Sequence, residues 1–82
     1  MYQVEFSKRA QKELAGLKRG DQIRVLKKLE AAAKDPARLF MPLKGIDGFR
    51  MRVGDLRVLA DIQASEQVIL VAAIGKRENV YK

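Results

Sequence analysis

The sequence contains no cysteine and no histidine among its 82 residues. Without cysteine there are no disulfides and no thiolate metal sites. Without histidine the chain lacks the commonest general base at neutral pH and the commonest metal ligand. Zinc hydrolases, Ser-His-Asp enzymes and nucleases with two catalytic histidines are therefore excluded. An enzyme of this composition uses other groups, and we expect neither a metal nor another cofactor.

Long apolar segments are also missing. The longest apolar run, residues 68–74, is far shorter than the ~18 residues of a membrane span. Residues 1–6 show neither the basic region nor the long hydrophobic region of a signal peptide. We therefore expect a soluble, cytoplasmic protein with no membrane partner. Its 48% apolar residues suffice for a single domain, residues 1–82, with one modest core.

Positive charge dominates the composition. Seventeen lysines and arginines against ten acidic residues give a net charge of +7. On so small a domain this favours a polyanionic partner, such as a nucleic acid, an acidic protein or an anionic membrane surface. The alternative is a basic surface that only aids solubility, and composition alone leaves both interpretations open.

The first half of the chain predicts a strand and a helical hairpin. Alternating apolar residues predict a half-buried strand over residues 2–6. Ser7 is placed to cap a helix that ends at Gly20, and Asp21 is placed to cap a second helix that ends before Pro36. On the second helix, Arg24, Lys27, Lys28 and Lys34 are predicted on the outer surface. The residues predicted to face the core are Ile23, Leu26, Leu29 and Ala33, with Val25 flanking them.

The second half predicts a loop and three strands. Residues 35–48 hold both prolines and are expected to form a loop, in which a short helical turn is allowed. Alternation predicts strands over residues 49–53 and 56–62, joined by a tight turn at Gly54-Asp55. The apolar residues 68–74 suit a central strand. We predict an α+β fold of order β-α-α-β-β-β, with the helical hairpin packed on one face of a small, mainly antiparallel four-stranded sheet.

Three arginines are predicted on the other, partly open face of the sheet. Arg50 and Arg52 share a face because they lie two apart on a strand. Depending on the register, Arg57 lies on the same face of the neighbouring strand, about 5–8 Å from Arg52. Such a cluster suggests a phosphate site, because a guanidinium binds phosphate through two parallel hydrogen bonds. The alternative is a merely solvated face.

A second basic segment follows the last strand. Lys76 and Arg77 come directly after the apolar run, and Tyr81 follows them. A basic pair and one aromatic ring at a strand end could clamp a phosphate and stack a base. The alternative is a frayed, charged terminus.

Four segments carry a family resemblance through their order and spacing: Leu43 to Gly45, Phe49 to Val53, Leu56 to Leu59, and Ile74 to Glu78 with Val80-Tyr81. With the β-α-α-β-β-β order, they resemble the RelE/ParE superfamily of bacterial and archaeal toxins over essentially the whole chain. The resemblance to the RelE branch implies a ribosome-dependent, metal-independent endoribonuclease that cleaves mRNA in the A site and inhibits translation. In the implied reaction the 2′-hydroxyl attacks the adjacent phosphate and the 5′-oxygen leaves. The implied partners are a cognate antitoxin, in a hetero-oligomer, and the ribosome with its rRNA and mRNA.

The resemblance also implies roles for individual residues. Arg57 matches the strand arginine that stabilises the phosphate in the transition state, and Arg77 matches the second catalytic arginine. Tyr81 matches the C-terminal tyrosine that stacks on a base. Arg52 and Arg50 stand where the ribonucleases often carry two lysines. We predict Arg52 as a further catalytic residue and expect RNA binding by Lys44, Arg50 and Lys76.

The two arginines in place of lysines leave the general base open. Arginine stays protonated in proteins, so it cannot remove a proton from the 2′-hydroxyl as a lysine can. Tyr81, Lys44 and Lys76 remain as candidates, and electrostatic stabilisation by arginines is an alternative source of rate. Two other functions also remain open. One is inhibition of DNA gyrase, as in the ParE branch, and the other is an inactive module that binds RNA or antitoxin.

Overall fold

A computed structural model describes residues 1–45 and 47–76. The elements in chain order are β1 (Gln3–Phe6), α1 (Lys8–Ala15), α2 (Arg19–Lys34), α3 (Pro36–Leu39), β2 (Met41–Pro42), β3 (Phe49–Val53), β4 (Leu56–Gln63) and β5 (Val68–Lys76). The strands form one sheet of order β1-β5-β4-β3-β2. β1 is parallel to β5, and the other neighbouring strands are antiparallel. The predicted α+β fold is confirmed, and the short α3 is an additional element. The sheet has five strands and not the predicted four, because Met41-Pro42 pair with β3 as the edge strand β2.

The helical hairpin begins as predicted, but its two helices meet earlier. The hydroxyl of Ser7 accepts a hydrogen bond from the amide of Ala10 at 3.0 Å and so caps α1. Because α1 ends at Ala15 and α2 begins at Arg19, Gly20 and Asp21 lie in the first turn of α2. Gly20 therefore does not end α1, and Asp21 is not the cap of α2. The Asp21 carboxylate instead stabilises the positive end of the helix dipole.

The buried side of α2 differs from the prediction. Leu29 is buried as expected, but Ile23 and Leu26 each keep 45% of their surface exposed. The buried side is the stripe Val25, Leu29, Ala32 and Ala33. The stripe that starts at Ile23 and Leu26 reaches Glu30 one turn later, and a carboxylate there cannot enter an apolar core without a partner. The helix therefore turns its uninterrupted apolar stripe toward the sheet.

The core lies between this hairpin and one face of the sheet. Each of the central strands contributes fully buried side chains on that face, among them Met51, Val58, Ile69 and Val71. Burying a side chain of this size stabilises the fold by about 1.5–3 kcal/mol. β3 and β4 are joined by the predicted turn, in which Gly54 adopts a φ of +61°. That turn fixes the register of the two strands whose other faces carry the arginines.

The pairing of β4 with β5 is interrupted once. Ala60 lies opposite Val71, but Leu59 lies opposite Ala73, so Ala72 is an extra residue in β5. This β-bulge bends β5 on its way to Lys76. None of the helices in the described part of the chain is long and apolar enough to cross a membrane.

Candidate nucleic-acid interface

The sheet face opposite the helices carries the three arginines of β3 and β4. Arg52 lies directly opposite Arg57, and Arg50 lies opposite Leu59. Strand alternation places all three arginines on one face, because their neighbours Met51, Val53 and Val58 are in the core on the other. Side chains directly opposite in antiparallel strands have Cβ atoms about 4.5–5.5 Å apart. The structure thus brings together the residues that the sequence placed on this face.

The three arginines differ in exposure. Arg57 is only 8% exposed and is the buried charged residue of the described chain. Arg50 is half-buried and Arg52 is exposed. Charges in a partly dry environment interact more strongly than charges in open water. Arg57 therefore lies within this face of the sheet, with Arg52 beside it at the surface.

Acidic partners are scarce around the exposed arginines. Within residues 1–45 and 47–76 the ion pairs are Arg9 with Glu13, at 3.3 Å, and Arg24 with Asp21, at 3.5 Å. Both lie on the helices, and neither involves Arg50 or Arg52. The same residues include no cluster of three or more acidic side chains that could hold a metal ion. The guanidinium of Arg52 is accordingly available to a phosphate.

The end of β5 lies beside Arg57. Gly75 is directly opposite Arg57. Lys76 is opposite Leu56, and alternation therefore directs it to the helix side of the sheet. There it borders a cleft of about 290 Å³. The cleft is lined in part by Leu17, Lys18, Asp21, Asp55, Gly75 and Lys76.

The remaining predicted residues are not part of this described cluster. Lys44 is exposed in the loop between β2 and β3, before β3 begins. Arg52 lies near the other end of β3, and each residue of a strand advances about 3.3 Å. Lys44 is thus separated from the Arg52–Arg57 pair by most of the strand. Arg77 and Tyr81 lie outside the described residues.

Two helix side chains that sequence reasoning missed hold the strands of this face. Lys28 of α2, predicted on the outer surface, is half-buried, and its Nζ donates a hydrogen bond to the carbonyl oxygen of Arg52. Glu13 of α1 accepts a hydrogen bond from the amide of Ile74 at 2.9 Å. Lys28 lies four residues after Arg24 and directly before the buried Leu29, and this spacing indicates that it lies at the border of the buried side of α2. Nothing local in the sequence marks Glu13.

The arrangement suits the binding of a phosphodiester. Two opposed guanidiniums can donate to both non-bridging oxygens of one phosphate, and the extra negative charge on these oxygens in a five-coordinate transition state strengthens those bonds. Arg50 extends the positive face, so that it can contact the next phosphate along a bound nucleic-acid strand. Arginine does not remove protons at neutral pH, so these three residues can stabilise negative charge but cannot act as a base.

Comparison with known proteins gives one family and a consistent fold. The sequence profile of the family described as ParE toxin of type II toxin-antitoxin system, parDE, matches residues 4–81. No curated protein matches the chain. Among solved structures, the chain is similar to the toxin-antitoxin complex RelBE2 from Mycobacterium tuberculosis, with a TM-score of 0.84 and 23% identity over 93% of this chain and 98% of that chain.

Two further solved structures are similar in the same way. The intact RelBE toxin-antitoxin complex of E. coli has a TM-score of 0.82 and 24% identity over 96% of this chain and 100% of that chain. The RelE-RelB complex from Pyrococcus horikoshii has a TM-score of 0.78 and 23% identity over 96% of this chain and 98% of that chain. At these identities the likeness establishes the fold alone.

Proposed function

Because the chain belongs to the ParE toxin family of type II toxin-antitoxin systems, we propose that it is a toxin that cleaves mRNA in the A site of the ribosome. The observation that carries the proposal is the direct opposition of Arg52 and Arg57 on the sheet face away from the helices. A phosphodiester is the ligand whose charge and shape fit such a pair. The net charge of +7 favours approach to the polyanionic ribosome.

The proposed reaction is transesterification within the RNA strand. The 2′-hydroxyl oxygen loses its proton and forms a bond to the adjacent phosphorus, and the bond from phosphorus to the 5′-oxygen breaks. The products are a 2′,3′-cyclic phosphate and a 5′-hydroxyl, whose oxygen takes its proton from water. Arg57 and Arg52 donate hydrogen bonds to the non-bridging oxygens as negative charge accumulates on them. In enzymes, one such preorganised donor is worth about 2.7–4 kcal/mol of barrier. By the family resemblance, Arg77 is the second catalytic arginine and Tyr81 stacks on a base.

Removal of the 2′-hydroxyl proton is assigned to Tyr81. Of the three groups that the sequence offers, Lys44 precedes β3 and Lys76 is directed to the helix side of the sheet. Neither position favours contact with a phosphate between Arg52 and Arg57. Tyr81 follows β5 by a few residues, and its phenolate form can take the proton. Lys44, Arg50 and Lys76 are assigned to binding of RNA phosphates around the cut.

The exposed apolar residues of α2 support an antitoxin partner. Ile23 and Leu26 lie one helical turn apart and are each 45% exposed. The exposed cations Arg19 and Lys27 are on the same helix. An amphipathic antitoxin segment with acidic flanks would bury the two apolar side chains and meet the cations. We propose that such a segment binds α2 in a toxin-antitoxin hetero-oligomer.

Inhibition of DNA gyrase is the second candidate. It is favoured by the family description, which names ParE, and by the arginines at positions 50 and 52 where ribonucleases often carry lysines. An inactive module that binds RNA or antitoxin would share the same basic face. The ribonuclease would cleave mRNA, the gyrase inhibitor would cause DNA breaks, and the inactive module would do neither. One set of assays therefore distinguishes the three functions.

The test is primer extension on a defined mRNA in a bacterial translation extract, with and without ribosomes. We expect new 5′ ends at codon positions only when ribosomes translate, and a cleavage rate about 100-fold lower for Arg57→Gln, the range seen when one oxyanion donor is removed. Arg38→Gln removes the same charge from an exposed position on α3 and should leave the rate unchanged. Intact mRNA with unimpaired translation would exclude the ribonuclease. Gyrase-dependent DNA breaks would then favour the ParE activity.

A further inference from the structure

The end of β5 extends beyond the strand that covers its edge. β1 pairs with β5 from Gln3 opposite Val68 to Phe6 opposite Val71. β5 then continues to Lys76, while the chain of β1 turns into α1. Backbone N–H and C=O groups on an uncovered strand edge need other partners.

α1 and its cap supply those partners. The amide of Ser7 donates to the carbonyl oxygen of Val71 at 2.9 Å, and its hydroxyl donates to the carbonyl oxygen of Ala72 at 2.9 Å. The carboxylate of Glu13 then accepts the hydrogen bond of the Ile74 amide at 2.9 Å. Three successive bonds thus replace the missing strand on this edge. Glu13 makes the last of them before the strand reaches Gly75.

The position of the bulge makes this last bond important. Ala72 is the extra residue, and a bulge disrupts the ladder locally and bends the strand that carries it. Ile74 is two residues past the bulge, and the next residue, Gly75, is the one opposite Arg57. A bond at the Ile74 amide therefore acts where the path of β5 beside Arg57 is determined.

We propose that Glu13 is a positioning residue for the arginine site. Its carboxylate takes the place of a strand partner and holds the end of β5 against β4, so that Gly75 stays opposite Arg57. Glu13 itself belongs to α1 and needs no contact with RNA. The consequence for cleavage rests on the proposed function, whereas the consequence for the backbone of β5 does not.

Glu13 also forms an ion pair with Arg9, and this pair is distinct from its bond to Ile74. Their side chains lie 3.3 Å apart, with 53% of Arg9 and 29% of Glu13 exposed. Exposed pairs of this kind, four residues apart on a helix, stabilise proteins by only about 0.3–0.5 kcal/mol. Arg9→Ala therefore removes the ion pair while leaving the bond to Ile74 in place, and it is a control for the proposal.

The first test is amide hydrogen exchange of Ile74, Gly75 and Lys76, measured by NMR below the unfolding transition. We expect Glu13→Ala to speed exchange at Ile74 about tenfold, because it removes a charge-assisted hydrogen bond. Glu13→Gln should stay near the parent, since its amide oxygen can still accept the bond. Arg9→Ala and Glu30→Ala, the latter at an exposed site on α2, should also match the parent. Unchanged exchange in Glu13→Ala would overturn the proposal.

The second test is the split between kcat and KM for mRNA cleavage on translating ribosomes. We expect Glu13→Ala to lower kcat about tenfold with KM within twofold of the parent, and Glu13→Gln to restore kcat, because a misplaced group lowers the chemical step. Faster exchange with an unchanged kcat would reduce Glu13 to a structural residue and overturn its positioning role. If the parent cleaves no mRNA, the proposed function fails, and the exchange measurement still decides the role of Glu13. If Glu13→Ala does not fold, Glu13→Asp gives the same test by withdrawing the carboxylate from the amide.

Discussion

Arg52 and Arg57 lie directly opposite each other across β3 and β4. Like charges in that position repel, and the fold holds them there through the neighbouring residues Val53 and Leu56, which are 5% and 3% exposed on the core side of the sheet. The Gly54 turn between them leaves no freedom to slide the register. Core packing thus fixes the two arginines side by side on this face of the sheet.

Removing one member of this pair should stabilise the free protein. We expect Arg52→Gln to raise the free energy of unfolding by about 0.2–1 kcal/mol, because the cross-strand repulsion is lost. Thermal unfolding measures this change in stability, and a second series with inorganic phosphate measures anion binding. Phosphate should raise the Tm of the parent and should raise that of Arg52→Gln less. Arg38→Gln, with the same change of net charge, is the control. If phosphate raised the Tm of Arg52→Gln and of Arg38→Gln equally, a phosphate site between Arg52 and Arg57 would be contradicted.

Replacing Arg57 by lysine tests geometry against charge. Arg57→Lys keeps the positive charge but loses the planar pair of donors, so we expect mRNA cleavage to fall about 100-fold. Rates of appearance of cleaved mRNA in the translation extract measure it. Circular dichroism must show a folded variant, since the residue is buried. A cleavage rate within twofold of the parent would mean that charge alone suffices at this position.

The bond from Lys28 to the carbonyl oxygen of Arg52 ties α2 to the end of β3. Lys28→Met keeps most of the side-chain volume and removes the donor, so we expect a loss of about 1–2 kcal/mol in unfolding free energy. Lys27→Met, at an exposed neighbouring position, should change it by less than about 0.5 kcal/mol. Urea unfolding compares the two variants, and equal stabilities would show that the Lys28 bond contributes nothing.

The antitoxin surface is tested by charging α2. We expect Leu26→Asp to weaken antitoxin binding at least tenfold, about 1.4 kcal/mol, because an apolar contact is replaced by a carboxylate. Ala31→Asp, at an exposed site on the same helix, should bind the antitoxin like the parent. Titration calorimetry gives both affinities, and mRNA cleavage by the free toxin should be the same in all three proteins. An unchanged affinity for Leu26→Asp would place the antitoxin elsewhere.

The hairpin of β3 and β4 was predictable because three local signals agree. Arg50 and Arg52 alternate with buried residues, and Gly54 supplies the positive φ that a two-residue turn requires. These signals predict the faces, whereas the register that places Arg52 opposite Arg57 was left open by the sequence and is given by the structure. That is why the arginine face followed from the sequence, whereas the catalytic roles of its residues did not.

Other features depended on contacts that no local pattern encodes. Two apolar stripes run along α2, and only the sheet that it packs against selects the one containing Val25 over the one containing Ile23. The bulge at Ala72 lies within a uniformly apolar run, where one extra residue leaves no mark. The bond from Ile74 to Glu13 joins residues 61 positions apart, so only the folded chain reveals it.

The parallel pairing of β1 with β5 sets the order in which the chain can complete its fold. Gln3 finds its partner at Val68, so the first strand has no neighbour in the sheet until β5 has been synthesised and has left the ribosomal exit tunnel. Contacts so distant in sequence form late, because a long loop must close before they contribute. The Ser7 and Glu13 bonds to β5 are subject to the same delay. The sheet therefore cannot be completed until nearly all of the described chain has been synthesised.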